Sequence, residues 1–107
     1  MTIILGLTSC RKPIDTAHQN YIGNWSCISC VDDDSDIDIS ENGRGAYYKT
    51  SSSGATTTIS GNVKFSGSEL RIGIKKFSID KTPVQDTSSF FTGYKMTLDG
   101  DEFFRTY

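Results

Sequence analysis

The chain reads as a small all-β domain, an antiparallel meander of about eight short strands closing into a β-barrel. Three observations predict it. Gly, Ser, Thr and Asp are abundant while hydrophobic content is only 36% over 107 residues, a composition that suits short strands and turns. Apolar and polar residues alternate with period two in several short runs, and no stretch carries a 3.6-residue period. Finally, Asn42-Gly43 and Asp99-Gly100 are strong two-residue hairpin signals between such runs.

The elements follow in order. Tyr21, Gly23, Trp25 and Cys27 share one parity, and Trp25 marks that face as the buried one. Val31 to Ser35 is acidic and turn-like, after which Ile37 and Ile39 alternate with Asp36 and Asp38. A two-residue loop at Asn42-Gly43 would pair Glu41 with Arg44, Ile39 with Ala46 and Ile37 with Tyr48, a self-consistent register. Thr50 to Gly54 is a loop and Thr56 to Ile59 a β-branched strand. Ser60-Gly61-Asn62 turns the chain into Val63-Lys64-Phe65, and Ser66-Gly67-Ser68 turns it again. Leu70, Ile72 and Ile74 alternate with charged residues. Phe77 and Ile79 have the opposite parity, so a bulge or corner is expected at Lys75-Lys76. Lys81 to Ser89 reads as a connection. Tyr94, Met96 and Leu98 form the next strand, and Asp99-Gly100 pairs Met96 with Phe103 and Tyr94 with Arg105. That register sends Arg105 to the apolar face, where a guanidinium needs an aromatic face or carbonyl partners.

The amino terminus points to a location. Leu7-Thr8-Ser9-Cys10 follows an apolar run of Ile3, Ile4, Leu5 and Leu7 and has the form of a bacterial lipobox, in which Cys10 becomes the lipidated first residue. The run is short and no Lys or Arg precedes it, so either the natural start lies upstream or Met1 was introduced; the alternative is a short strand holding a free cysteine. The expected organisation is a signal remnant over 1–9, lipidated Cys10 with a flexible tether over 10–20, and the barrel over 21–107. No apolar stretch approaches the roughly 20 residues of a membrane helix, so membrane contact is expected through lipid, with the protein anchored in a bacterial cell envelope at the outer membrane.

Gly23-Asn24-Trp25 together with an inward Arg105 in the last strand resembles the lipocalin (calycin) pattern. In that family a Gly-x-Trp motif opens the first strand and an arginine from the last strand packs over the tryptophan, roles that Gly23, Trp25 and Arg105 match. The layout also resembles small lipocalin-like lipoproteins of the Bacteroidetes type, with Met96-Thr97-Leu98-Asp99-Gly100 and Phe103-Phe104-Arg105 as the closing pattern. The resemblance implies a barrel interior faced by Tyr48, Phe65, Ile72, Phe77, Tyr94, Met96 and Phe103. Such an interior either holds one small apolar ligand or is filled by its own side chains, and the short strands favour filling. Contact between Trp25 and Arg105 is expected if first and last strands meet.

Other constellations carry less. Cys27-Ile28-Ser29-Cys30 has redox-motif spacing, but it lies at a strand and is followed by Asp32, Asp33 and Asp34, whose charge raises a thiol pKa. A regular strand would place the two cysteines on opposite faces, so a disulfide needs a turn at Ile28-Ser29. No second Cys or His pair completes a zinc site, and the aspartate run lacks the glycine and glutamate of an EF-hand. His18 falls in the expected tether, where no geometry is fixed. Lys64, Arg71 and Lys75 are expected to face outward, with Lys76 and Lys81 nearby. Tyr47, Phe91 and Phe104 are expected outward aromatics. With a net charge of −2, no catalytic constellation and no phosphate loop, the expectation is a non-enzyme without cofactor or nucleic-acid partner. It would be a monomer that binds a small apolar ligand or caps a protein partner.

Overall fold

A computed structural model describes residues 13–31, 33–86 and 93–106. Eight strands succeed one another around a closed barrel: β1 (Gly23–Cys27), β2 (Asp34–Ile39), β3 (Arg44–Thr50), β4 (Thr56–Ser66), β5 (Glu69–Ile72), β6 (Lys75–Asp86), β7 (Gly93–Leu98) and β8 (Asp101–Thr106). Every neighbouring pair is antiparallel, and β8 returns to β1 through Ser26↔Phe104 and Cys27↔Phe103. The all-β meander and its closure are as the sequence predicts. Consecutive connections alternate between two ends. The start of β1 and the β2–β3 and β4–β5 turns share one end. The β1–β2 loop and the β5–β6 and β7–β8 turns share the other.

The two hairpin dipeptides behave differently. At Asp99-Gly100 both residues have positive φ, 51° and 83°, as a two-residue I′ turn requires. Met96 faces Phe103 and Tyr94 faces Arg105, the expected register. At Asn42-Gly43 the connection is longer. The Gly43 N–H donates to Ser40 O at 3.0 Å, the Ser40 N–H to Arg44 O at 2.9 Å, and Gly43 alone has positive φ. That is a three-residue loop with a left-handed last residue. Ile39 therefore faces Gly45, and Ile37 faces Tyr47. A one-residue shift exchanges the faces: Tyr47, expected outside, is buried, and Tyr48, expected inside, is 40% exposed. The reason is space. A Cβ at Gly45 would lie 2.6 Å from Val63 Cγ2, so the inner face at this level admits glycine and not Ala46.

Two further boundaries move. Ser60-Gly61-Asn62 is not a turn but the middle of β4, at the point where β4 ends its pairing with β3 and begins pairing with β5. A Cβ on Gly61 would sit 2.7 Å from the Cα of Gly73, so two glycines let the backbones touch there. Conversely Gly73-Ile74, expected inside a strand, is a two-residue turn, with Ile72 facing Lys75 and Gly73 at φ 57°. This turn, rather than a bulge at Lys75-Lys76, reverses the parity before Phe77. Bulges do occur in β6, between Ile79 and Lys81 and again before Val84. The expected connection from Lys81 is strand as far as Asp86.

Trp25, Ile37, Ile39, Leu70, Ile72, Met96 and Leu98 are wholly buried inside the barrel, joined by Tyr47, Val63, Phe77 and Phe103. Burial of each large side chain contributes about 1.5–3 kcal/mol against the entropy of ordering the chain. The folded region starts before Tyr21. Ile14 is buried in the core cluster, and its N–H donates to Glu41 O at 3.0 Å. A 3-10 helix over Thr16–Tyr21 follows. The flexible tether expected over 10–20 thus gives way to packed structure by residue 14, because Ile14 and Tyr21 supply apolar surface that the barrel end covers. Cys10 and the signal remnant over 1–9 lie outside the described residues.

Candidate functional site

At the helix end, β1 and β8 bring Gly23, Trp25 and Arg105 together. The Arg105 guanidinium carbon lies 5.2 Å from the Trp25 ring centroid and 4.6 Å from that of Tyr94. The Trp25 Nε1–H donates to Tyr21 O at 2.8 Å, which ties the 3-10 helix to the same ring. Gly23 has φ 136°, and a Cβ there would fall 2.3 Å from Arg105 Cδ. The glycine two residues before the tryptophan is therefore what lets the arginine stem cross β1. Arg105 Nε is buried without a hydrogen-bond partner among the described residues; the cation is held by aromatic faces.

Among the described residues, the expected interior is largely packed. Ile72, Phe77, Met96 and Phe103 are buried, and Phe65 and Tyr94 are half-buried against the same cluster. Tyr48, the seventh expected ligand-facing residue, is outside for the reason given above. At the opposite end Lys75 Nζ lies 5.1 Å from the Phe77 centroid and 5.6 Å from that of Tyr47. Lys75 was expected to face outward; the Gly73-Ile74 turn puts it opposite Ile72, on the inner side. The barrel thus has a cation over two rings at each end and packed apolar side chains between. Depressions large enough for a small molecule lie outside that core. One, of about 510 Å³, is bordered by Pro13, Ile14, Asp15, His18, Lys64 and Phe65, among others.

His18 borders that depression in a fixed geometry, not in a tether. Its ring stacks on Phe65 with centroids 3.9 Å apart, and Nδ1 is 2.6 Å from Asp15 Oδ1. No signal in the sequence marked it, because the stack needs Phe65 from a distant strand. Among the described residues no hydroxyl or thiol hydrogen-bonds this imidazole, so the Asp15–His18 pair is not joined to a nucleophile. Burial pushes the Tyr21 phenol beside it above the usual tyrosine value.

Cys27 and Cys30 form a disulfide, with Cα atoms 5.7 Å apart. β1 ends at Cys27 and the chain bends at Ile28-Ser29, the turn a bridge requires. The Ile28 N–H donates to Glu102 O at 2.8 Å, and the Glu102 N–H donates to Ser29 Oγ at 2.9 Å, so the loop continues the β1–β8 seam. Cys27, Cys30 and Asp101 are the group of potential metal donors among the described residues, their atoms within 4.8 Å of one another. The S–S bond occupies both sulfurs, and thiolates are what a metal needs.

The aspartates do not converge. β2 starts at Asp34, so Asp34, Asp36 and Asp38 point outward along one strand at about 7 Å intervals. Asp33 instead meets Lys49 at 3.2 Å and holds that ammonium charged above its usual range. Asp32 and Phe91 lie outside the described residues. On the other side of the barrel, register places Lys64 opposite Arg71 and Arg71 opposite Lys76, one outward row of cations across three strands. Phe104, expected outward, faces Lys95 on one side and Ser26 on the other and is half-buried.

No family model, no curated protein and no solved structure matches the chain.

Proposed function

We propose that the chain is a lipocalin-like lipoprotein of a bacterial cell envelope, anchored by lipid on Cys10, that works as a non-enzymatic binding or structural module through its outer surface. It would act as an accessory or inhibitory protein on a protein partner. The observation that carries this reading is the filled interior. Trp25, Leu70, Ile72, Met96 and Leu98 are at most 1% exposed, and a cation over two rings stands at either end. A carrier of small apolar ligands needs a cavity of roughly 300 Å³ or more inside such walls. The Trp25–Arg105 contact supports the lipocalin-like part, and the lipobox spacing supports the anchor.

Mass spectrometry of the mature protein from its source cell tests location: a chain starting at acylated Cys10 is expected, and an intact Met1 with an unmodified thiol overturns it. Cross-linking of the acylated protein in the envelope tests mode of action. A discrete protein partner linked through outward residues such as Tyr48 is expected. A stoichiometric apolar ligand released on denaturation, with no linked partner, would return the function to the barrel interior.

A further inference from the structure

We infer that the outward row Lys64–Arg71–Lys76 rests on the phosphates of anionic lipid headgroups, so that the barrel lies on its side against the membrane with the opposite face free. The inference rests on the proposed anchor at Cys10. Three observations converge on it.

The first is the row itself. Lys64 stands opposite Arg71 on β4 and β5, and Arg71 opposite Lys76 on β5 and β6. Like charges directly opposite on adjacent strands repel, so two such pairs in one row carry a cost that an external anion removes. No ion pair reaches these three residues among the described ones. Arg71 Nε is buried with no hydrogen-bond partner among them. Glu69 shares the face two residues from Arg71, and Asp99 borders a depression with Glu69 and Lys76; neither is within ion-pairing distance of the row. Asp99 already accepts the Ser78 N–H.

The second is the length of chain. Ile14 is fixed to the barrel by its bond to Glu41, and only two residues separate Cys10 from Pro13. Fully extended, that span reaches about 11 Å. Pro13 and Ile14 border the same depression as Lys64, so the anchored chain leaves the barrel beside one end of the cation row.

The third is complementarity. In a ring of eight strands β2 stands across from β6, and β2 presents Asp34, Asp36 and Asp38 outward. Bringing the cations to an anionic surface turns these carboxylates away from it. A short anchor raises the local lipid concentration and so adds to contacts that hold anionic lipid on their own.

The test uses the full-length chain with Cys10→Ser, which cannot be acylated, and vesicles of phosphatidylglycerol or of phosphatidylcholine. Binding to the first, none to the second, and loss of binding at high salt are expected. The triple variant Lys64→Gln, Arg71→Gln and Lys76→Gln should bind about a hundred-fold more weakly, each cation near the surface contributing a several-fold factor. Lys49→Gln with Lys95→Gln, cations elsewhere on the barrel, should change binding less than about three-fold, and unchanged Trp25 fluorescence certifies folding in each case. Absent binding of the parent chain, equal loss in the control variant, or binding indifferent to lipid charge overturns the inference. Because acylation plays no part in these measurements, failure of the Cys10 anchor shows only in the mass of the mature protein and is distinguishable.

Discussion

The helix end and the disulfide end of the barrel each place a cation over two aromatic rings, yet the two caps are built differently. Arg105 crosses β1 at a glycine and lies over Trp25 and Tyr94. Lys75 leaves a tight turn and reaches Phe77 and Tyr47 with its ammonium. The guanidinium is planar, stacks, and has its Nε cut off from water. The ammonium is a hydrated point charge on a flexible stem. The first cap should therefore tolerate nothing at Gly23 or Arg105, whereas the second should tolerate much at Lys75.

The largest expected effect is at Gly23. Gly23→Ala places a methyl 2.3 Å from Arg105 Cδ on a backbone with φ 136°, and should cost about 2–4 kcal/mol in urea unfolding. In an Arg105→Ala background the same change should cost less, since only the backbone strain remains; full additivity would mean the two residues do not oppose each other. Arg105→Ala alone should cost roughly 1–3 kcal/mol, and Arg105→Lys should recover only part of it. A cost within error of zero would reduce the contact to decoration. Lys75→Ala should cost about 0.5–1 kcal/mol, and Lys75→Arg should be nearly neutral. An effect at Lys75 matching that at Arg105 would erase the distinction between the ends.

The smallest effect is one of pH. Burial raises the Tyr21 phenol above the ordinary tyrosine value of 10.0. A raised value means the folded state prefers the neutral phenol, so its contribution is whole below pH 10.0 and fades as pH climbs through the folded value. Trp25 fluorescence should report the loss first, because Trp25 donates to Tyr21 O. Tyr21→Phe should remove that alkaline step, and its persistence would assign the step to another group.

The same contrast shows what could be read from residues alone. Arg105 was legible because Asp99-Gly100 accepts positive φ at both positions, which fixes one register and hence one face. Asn42-Gly43 looks equally strong, but the crowding of Val63 against Gly45 favours a three-residue loop, and Tyr47 and Tyr48 exchange places. Nothing local reveals Val63 as that neighbour. Gly61 and Gly73 misled in opposite senses: one glycine looked like a turn and is a close backbone approach, the other looked like strand and is a turn. The two errors cancel in the strand count, so eight strands were foreseeable while the boundaries between β4, β5 and β6 were not. Lys75 followed from that. Ile14 and His18 escaped because their partners, Glu41 and Phe65, come from other parts of the chain, and a polar stretch without alternation gives no hint of docking. The Cys27–Cys30 bridge was legible only as a condition, a bend at Ile28-Ser29, which the seam with β8 supplies.

That seam has a kinetic consequence. Seven of the eight strand pairings join neighbours in sequence through connections of modest length and can zip locally. The eighth joins the two ends of the chain, with Ser29 and Glu102 separated by 73 positions, and loop closure over such a span carries the largest entropic cost of any pairing here. Among the described residues, Ser26↔Phe104 and Cys27↔Phe103 form its ladder. Closure is thus expected to be the late step of folding and the first to reopen. A bridge between Cys27 and Cys30 formed before the ends meet would hold the bend that presents Ile28 to Glu102, so oxidised chains should close the barrel faster than reduced ones in refolding.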